Sequence, residues 1–423
     1  MKVLIAELAL FLFIAKRAMS VLLEILNVSH LRKMSAFVPV SLSGIIDKET
    51  SEKSLSYLAL KSRFDIFRSL FSDILILFFI FSPLFNMYNS VITGMNINYM
   101  LQGLVFFAVL SAASQLLDIP WALYDAFFIE NKFGFNRMSI SLWIMDFIKS
   151  FIIETAILCL AVIAGLWIIG LSPGYWWFII WLFFFILSIT LMYISPYIIE
   201  PLFNKFEPLD NPELVEKIKG LCEKAGIKAG QVLKMDASKR SSHSNAYFTG
   251  IGNVKRIIIL DTLIGKLTDG ELLSVIAHEA GHWKKKHVIK SIISFEIIAE
   301  LLLFVCYLFF RTNILPDIFG IQPGGLFAKI IIAGFLLSII SYYFDPVCSY
   351  FSRKNEREAD RFAVGITGGY TDLQNSLVKL YKDNLSNLFP HPLYVLFYYS
   401  HPPLLERLKE LSAYGEGDGA IKK

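Results

Sequence analysis

Long hydrophobic stretches recur along this 423-residue chain and restrict the folds open to it. A bilayer-spanning α-helix needs about 20 mostly apolar residues. Stretches of that length occur at 66–90, 99–119, 141–171, 175–199, 289–310 and 326–349. Charged residues make up only 18% of the chain, whereas soluble domains contain roughly a quarter. The pattern predicts an α-helical polytopic membrane protein.

The N-terminal segment 4–26 is predicted as a further, less regular span. Its apolar run is followed by Lys16 and Arg17, and by no small-x-small cleavage site of the kind that ends a signal peptide. The two basic side chains are expected to reach the membrane interface or to face protein. With this segment, the prediction is seven transmembrane helices.

Charged residues fall inside the predicted spans, among them Asp146, Lys149 and Glu154 in the fourth, and Glu296 and Glu300 in the sixth. Charged side chains are costly in lipid and usually face protein or water. They indicate an internal cavity. The alternative is that several of them lie at the depth of the membrane interface.

Positive charge is concentrated in alternate connections between the spans. Eight basic residues, Arg32, Lys33, Lys48, Lys53, Lys61, Arg63, Lys132 and Arg137, lie in connections 28–65 and 121–141. The opposite connections, near 91–98, 172–174 and 311–325, contain only Arg311. Because cytoplasmic loops are enriched in Lys and Arg, the N-terminus is predicted outside and the C-terminal tail inside. The long segment 200–288 is then also cytoplasmic.

Segment 200–288 is predicted to be a small α+β unit. Pro212–Ala225 has helical periodicity, and short strands are predicted at Val232–Asp236, Asn245–Thr249 and Arg256–Leu260. Thr268 or Asp269 is predicted to cap a helix that runs from about Gly270 through His287.

The pentapeptide His278-Glu279-Ala280-Gly281-His282 lies on that predicted helix. Two imidazoles four residues apart point from one helical face and can bind one metal ion. Glu279, between them, is within reach of a water activated by the metal. About 0.01 such matches are expected by chance from this composition. The motif predicts a zinc peptidase, with His278 and His282 as ligands and Glu279 as general base.

Two histidines leave a catalytic zinc one protein ligand short, since such sites commonly use three. The best candidates follow the last predicted span, where Glu356 and Asp360 are four residues apart on a probable helix. One of them can bind the metal while the other orients a ligand imidazole. By spacing alone Glu358 competes with Glu356, and an ordinary solvated charged face is the alternative for the whole stretch.

Taken together, the motifs resemble those of the type I CAAX prenyl proteases, integral-membrane zinc metallopeptidases of the gluzincin class. The matching segments are Ile119–Tyr124, Phe128–Glu130, Gly134–Asn136, Glu200–Phe206, Lys239–Phe248, His278–His287, Ser352–Asp360 and Ser400–Arg407. The resemblance implies that Glu356 is the third zinc ligand and that Asp360 braces a ligand from behind. It also implies seven helices that enclose a large chamber, with the zinc domain closing one end.

These expectations divide the chain into four parts. Spans one to five and their cytoplasmic loops occupy 1–199, and the cytoplasmic zinc-protease domain occupies 200–288. Spans six and seven occupy 289–350, and the cytoplasmic part 351–423 completes the zinc site.

Three further residues are candidates for roles in peptide hydrolysis. His401 or Arg407 is predicted to donate to the developing oxyanion, and Asn245 to align the peptide along an edge strand. A purely structural role is the alternative for each. His287, which follows the ligand pair, is predicted to have a helix-terminal role and not to bind the metal.

The leading function is therefore a zinc metalloendopeptidase that binds one Zn²⁺ and acts on membrane-associated polypeptides. The alternative is a non-catalytic membrane carrier or zinc-binding protein, but a structural zinc needs no base such as Glu279. The resemblance implies prenylated substrates, and membrane protein processing or quality control is the other duty considered. The net charge of +4 gives no reason to expect nucleic acid as a partner, and the sequence leaves the oligomeric state open.

The connection from Asp261 to Glu271 is short, without the acidic insert of some eukaryotic relatives, and the tail Lys422-Lys423 is not placed like a dilysine retention signal. Both features favour a prokaryotic plasma membrane. The endoplasmic reticulum membrane is the alternative location.

Overall fold

The computed structural model describes residues 2–35, 46–250, 254–322 and 325–421, so the tail Lys422-Lys423 lies outside the described residues. The helices are α1 Lys2–Met34, α2 Lys48–Phe81, α3 Pro83–Thr93, α4 Tyr99–Tyr124, α5 Asn131–Phe133, α6 Ile140–Leu171, α7 Trp176–Ile194, α8 Glu200–Phe203, α9 Pro212–Lys224, α10 Asp269–Lys284, α11 His287–Phe310, α12 Ile314–Ile318, α13 Leu326–Thr367, α14 Thr371–Asp383, α15 Pro392–Tyr398 and α16 Leu404–Ile421. Two π-helical segments, Asp125–Glu130 and Ser195–Ile199, and a 3₁₀ turn at Ala237–Lys239 join some of them. The strands are β1 Phe206–Pro208, β2 Lys228–Met235, β3 Ala246–Thr249 and β4 Val254–Leu260.

Among the described residues, five helical stretches are long and apolar enough to cross a membrane: Tyr99–Phe133, Ile140–Leu171, Trp176–Phe203, His287–Phe310 and Leu326–Thr367. The bent pair α2 and α3 makes a sixth if it is counted as one span. These stretches agree with the predicted polytopic membrane protein. By length and composition, the described residues contain five or six such spans and not the predicted seven.

The predicted first span lies within α1, which is a continuous helix but too charged to count as apolar. Its basic pair faces protein, one of the two options predicted. Arg17 Nη2 donates to Asp73 Oδ1 on α2 at 3.0 Å, and Lys16 Nζ donates to the Ser338 carbonyl on α13 at 2.7 Å. Each of the two cations therefore has a polar partner within the protein, which lipid could not provide.

The predicted span 66–90 is not one straight helix, because the chain bends by 63° between α2 and α3. Pro83 is at the first turn of α3, where its missing N–H leaves no helical hydrogen bond unmade. Ser82 ends α2 and accepts a hydrogen bond from Leu84 N at 3.2 Å as the N-cap of α3. A proline and a capping serine side by side thus end one helix and begin the next.

A cavity of about 1610 Å³ lies among α1, α2, α3, α4, α6 and α13. Aliphatic and aromatic side chains form most of its lining, together with Glu154 and the ion pair of Arg68 with Asp118, 2.7 Å apart. Glu154 therefore faces a cavity, as predicted. Asp146, another of the predicted intramembrane charges, instead pairs with Arg240 of the α+β unit at 2.8 Å.

The α+β unit is built around a four-stranded sheet in the order β1-β2-β4-β3. The two central strands run parallel, and each edge strand is antiparallel to its neighbour. Residues Ile257 to Ile259 of β4 are fully buried, and Ile257 and Ile259 pack in a core with Ile218 of α9 and Ile276 of α10. Each fully buried isoleucine contributes roughly 1.5–3 kcal/mol. This core fixes α10 against the sheet.

Helix α10 begins as predicted, with Thr268 as its N-cap. Thr268 Oγ1 accepts from Glu271 N at 3.3 Å, and the Glu271 carboxylate accepts from Thr268 N at 2.8 Å. The predicted C-terminus at His287 is wrong. The helix ends at Lys284, Lys286 takes a left-handed backbone with φ 58°, and His287 begins α11.

Candidate metal centre

Helices α10 and α13 lie so close at Gly281 that a Cβ there would be 3.0 Å from Ala359 Cα and 3.1 Å from its carbonyl oxygen. Gly281 is within the HExxH motif, and Ala359 lies between Glu356 and Asp360. The missing side chain therefore lets the two helices bring their functional faces together.

His278, His282 and Glu356 converge with their potential ligand atoms within 4.8 Å of one another. The two Nε2 atoms are 3.1 Å apart, and Glu356 Oε2 and Oε1 lie 3.3 Å from His278 Nε2 and 3.2 Å from His282 Nε2. Ligand atoms around a tetrahedral zinc with bonds near 2.0–2.1 Å are roughly 3.3 Å apart. Among the described residues Glu356 Oε2 is also buried without a hydrogen-bond partner. The donor set fits Zn²⁺.

Behind His278, Asp360 and Arg407 form a buried ion pair. Asp360 Oδ1 is 2.8 Å from His278 Nδ1, the nitrogen away from the other donors. Arg407 Nη2 and Nε donate to the two Asp360 oxygens at 2.6 and 2.8 Å. Burial alone would lower the pKa of His278, but the contacts with Asp360 and Glu356 raise it to about 9. A cation must therefore displace a proton from this imidazole to bind.

Glu279 is half-buried beside the two imidazoles. Burial raises the pKa of its carboxyl group, and the neighbouring His278 and His282 oppose that shift. A raised pKa suits a carboxylate that takes up a proton and later releases it.

His401 approaches the same centre from the chain after α15. Its Nε2 is 3.5 Å from Glu356 Oε1, its Nδ1 is 2.8 Å from Ser400 Oγ, and its side chain is 60% exposed. Desolvation lowers the pKa of His401, although the charge of Glu356 acts in the opposite direction. A neutral imidazole with one accessible nitrogen at this position can donate a hydrogen bond.

Asn245 immediately precedes edge strand β3, which contacts α10. Its carbonyl accepts from Leu260 N at 3.2 Å, and its Oδ1 accepts from Ala246 N at 2.8 Å. The residue is exposed. It is therefore accessible at the β3 edge of the sheet.

The structure also places His287 and Glu358 behind this centre, in a chain of contacts with His282 that the sequence did not predict. His287 is only 3% exposed, and its two ring nitrogens lie 3.1 Å from His282 Nδ1 and 3.2 Å from Glu358 Oε2. Among the described residues, Glu358 is not in the group of converging donors, whereas Glu356 is. The local signal is His287 itself, a histidine five positions after His282.

Two family descriptions match adjoining parts of the chain. Residues 27–205 match the CAAX prenyl protease N-terminal region with five membrane helices, and residues 208–414 match peptidase family M48. Helical spans, a small sheet and a converging His-His-Glu group accompany these matches. Together they define a membrane-embedded zinc metalloprotease and not a carrier.

Relatives that cover almost the whole chain give the particular family. A CAAX prenyl protease 1 homolog of Arabidopsis thaliana is 37% identical over 93% of this chain and 94% of its own length. CAAX prenyl protease 1 of Saccharomyces cerevisiae is 34% identical over 90% and 89%. The crystal structure of S. mikatae Ste24p matches with a TM-score of 0.88 at 32% identity, covering 95% of this chain and 97% of that one. The chain belongs to the CAAX prenyl protease 1 family, which confirms the resemblance seen in its motifs.

Proposed function

We propose that this metalloprotease binds one Zn²⁺ through His278, His282 and Glu356 and cleaves peptide bonds with Glu279 as general base. The observation that carries the assignment is the convergence of the three side chains: the two Nε2 atoms are 3.1 Å apart, each lies 3.2–3.3 Å from one oxygen of Glu356, and Glu279 is beside them. When bound, Zn²⁺ supplies Lewis acidity and lowers the pKa of water toward ~7.

The protein's own groups then move and hold the protons. Glu279 accepts a proton from the attacking water and delivers it to the nitrogen of the leaving amine. His401 donates from Nε2 to the oxygen that becomes negative at the scissile carbonyl. Arg407 has two of its three nitrogens committed to Asp360. Its role is therefore to hold Asp360, and through it His278, in place.

The peptide is proposed to lie along the β3 edge of the sheet. An added strand hydrogen-bonds to the backbone of an exposed edge and is thereby aligned in register. Asn245 stands at the beginning of that edge and is proposed to hold the substrate backbone. Strand β3 itself contacts α10, which contains the HExxH motif.

Prenylated polypeptides are the proposed substrates, because the relatives are named as CAAX prenyl proteases. The largely apolar cavity among the membrane helices offers a surface on which an isoprenoid chain can be buried. Clearance of misfolded membrane proteins by the same peptide hydrolysis is the second candidate. It is favoured by the sequence features that point to a prokaryotic host.

The proposed arrangement in the membrane has seven spans, with α1 as the first and α2 with α3 as the second. The seven helices enclose the chamber, the catalytic part and the C-terminus face the cytoplasm, and the N-terminus faces the opposite side. The bonds of Lys16 and Arg17 to α13 and α2 support the inclusion of α1. The prokaryotic plasma membrane stays a prediction, with the endoplasmic reticulum as its alternative.

A matched pair of peptides tests the substrate class. Purified protein is incubated with one CAAX-terminated peptide in farnesylated and unmodified forms, and released C-terminal tripeptide is measured by mass spectrometry. We expect cleavage of the farnesylated form only, loss of cleavage with a chelator, and recovery with added Zn²⁺. Equal cleavage of both forms would overturn the prenyl preference. Chelator-insensitive cleavage would overturn the zinc mechanism.

A further inference from the structure

His287 and Glu358 form a chain of polar contacts behind His282, on the side away from the other metal-binding atoms. His282 Nε2 faces His278 and Glu356, while His282 Nδ1 lies 3.1 Å from His287 Nδ1. His287 Nε2 in turn lies 3.2 Å from Glu358 Oε2. The contacts join α10, α11 and α13.

The backbone break before α11 is what permits this arrangement. In one continuous helix, a residue five positions after His282 would point roughly 140° away around the axis. Instead Lys286 has φ 58°, a left-handed conformation that a residue with a Cβ adopts at a cost of roughly 1–2 kcal/mol. The helix breaks there, and the His287 ring lies 5.1 Å from the His282 ring, centroid to centroid. Strain at a functional centre suggests a function for what it positions.

A metal ion bound at His282 Nε2 would fix the position of every proton in the chain of contacts. An imidazole that gives its Nε2 lone pair to a cation carries its proton on Nδ1. His282 Nδ1 is therefore a donor, so His287 Nδ1 must accept. The His287 proton is then on Nε2, where it is donated to the Glu358 carboxylate. All hydrogen bonds run in one direction, and no ring needs a second proton.

We propose that His287 and Glu358 are a positioning pair that orients His282 and strengthens its bond to the metal, an inference that rests on the zinc site proposed above. His278 is held by a carboxylate directly, through Asp360 at 2.8 Å. His282 is held by a carboxylate through an intervening imidazole. Partners of this kind fix the ring and raise its basicity.

Two substitutions of His287 separate this role from simple packing. In His287→Gln the amide oxygen can still accept from His282 Nδ1, whereas His287→Phe keeps the ring shape and accepts nothing. Zinc affinity of the purified full chain is measured by competition with a chromophoric chelator. We expect His287→Phe to raise the zinc Kd about 10–100-fold, and His287→Gln to stay within a few-fold of wild type. The opposite order, with Phe tolerated and Gln not, would overturn the proposal.

A double-variant comparison tests the link through Glu358. Glu358→Ala is expected to raise the zinc Kd about tenfold in the wild-type background and to have no further effect in His287→Phe. Glu216→Ala, which removes an exposed carboxylate from α9, serves as the charge-matched control and should leave the Kd unchanged. Equal effects of Glu358→Ala in both backgrounds would show that Glu358 does not act through His287.

His282→Ala distinguishes failure of the pair from failure of the site. If it abolishes zinc binding while the His287 and Glu358 variants bind as wild type does, only the positioning pair is wrong. If His282→Ala itself binds zinc normally, the proposed metal centre is wrong and the pair falls with it.

Discussion

Asp360 is 2% exposed and Arg407 7% exposed, and each neutralises the other behind His278. Removing one partner of a buried ion pair leaves an uncompensated charge, at a cost of about 3–5 kcal/mol. Arg407→Leu should therefore lower the free energy of unfolding in detergent by that amount. It should also weaken zinc binding, because Asp360 loses the group that orients it.

The double variant Asp360→Asn/Arg407→Leu is the control, since it removes both charges. It should regain part of the lost stability, while zinc affinity remains low. If Arg407→Leu is as stable as wild type and loses only kcat, Arg407 acts on the substrate and not through Asp360.

His243 is a titratable residue away from the metal centre, and its contacts give it a structural role. Its ring stacks on Phe135 at 4.2 Å, Nδ1 lies 2.8 Å from Asn384 Oδ1, and Nε2 lies 3.4 Å from Glu130 Oε2. The bond to Glu130 raises the pKa of His243 above 6.5, against the effects of burial and of the charge on Lys266. The ring thus joins the loop before β3 to the π-helical segment that holds Glu130.

Because the pKa of His243 is higher in the folded than in the unfolded protein, its contacts stabilise the folded state most when the ring is protonated. This stabilisation is fully present below the unfolded-state pKa near 6.5 and is lost as the pH rises through the folded-state pKa. The stability difference between wild type and His243→Gln should therefore be larger at pH 5.5 than at pH 8.5. Denaturant unfolding at both pH values measures it. A difference that stays constant, or grows with pH, would contradict the ion pair.

The contact of α10 with α13 is the arrangement on which the metal centre depends most at the level of elements. A methyl group at Gly281 would meet backbone atoms of Ala359 at 3.0–3.1 Å, and backbone atoms cannot move aside cheaply. Gly281→Ala should therefore cost about 1–3 kcal/mol of stability and loosen zinc binding, because α10 shifts away from Glu356.

Gly365, on the partner helix α13, provides the control. A Cβ there meets nothing within 4 Å, so Gly365→Ala should stabilise the helix by about 0.5–1 kcal/mol. If both alanine variants behave alike, the close approach at Gly281 does not limit the spacing of the helices.

The sequence predicted those features of α10 and α13 that depend on residues close together along the chain. The N-cap at Thr268 and the facing imidazoles of His278 and His282 follow from contacts within a few residues along the chain. The convergence of Glu356 does not, because it is 74 positions from His282 and arrives on another helix. Its assignment needed the family resemblance, since spacing alone left Glu358 open.

Three features were not predicted: the helix break before His287, strand β1 and the bend between α2 and α3. Each has a specific physical cause. Lysine has no preference for positive φ, so nothing in Lys284–Lys286 indicated that the helix would break before His287. Strand β1 has three residues and is too short to show an alternating pattern. The bend at Ser82 and Pro83 does have a local signal, since both residues are typical of a helix start, but the hydrophobic pattern continues through it.

For the whole molecule, the distribution of basic residues predicts which side of the membrane each part faces. Cysteine labelling in intact cells tests this in a variant that lacks the four native cysteines. Gly174→Cys, in the connection between α6 and α7, should react with an impermeant maleimide from outside. Glu216→Cys, on α9 of the zinc domain, should react only after permeabilisation. The reverse pattern would invert the proposed orientation.

The fold brings together potential metal ligands from α10 and α13, two helices that are far apart in the sequence. The proposed chemistry needs both the metal and the general base at this point. Glu279→Gln tests this most directly, with zinc content and peptide cleavage measured on the same purified sample. We predict one Zn²⁺ per chain, as in wild type, and cleavage reduced at least 10²-fold, the usual contribution of a general base. Wild-type cleavage by the zinc-loaded variant would contradict the assignment of Glu279 as the base.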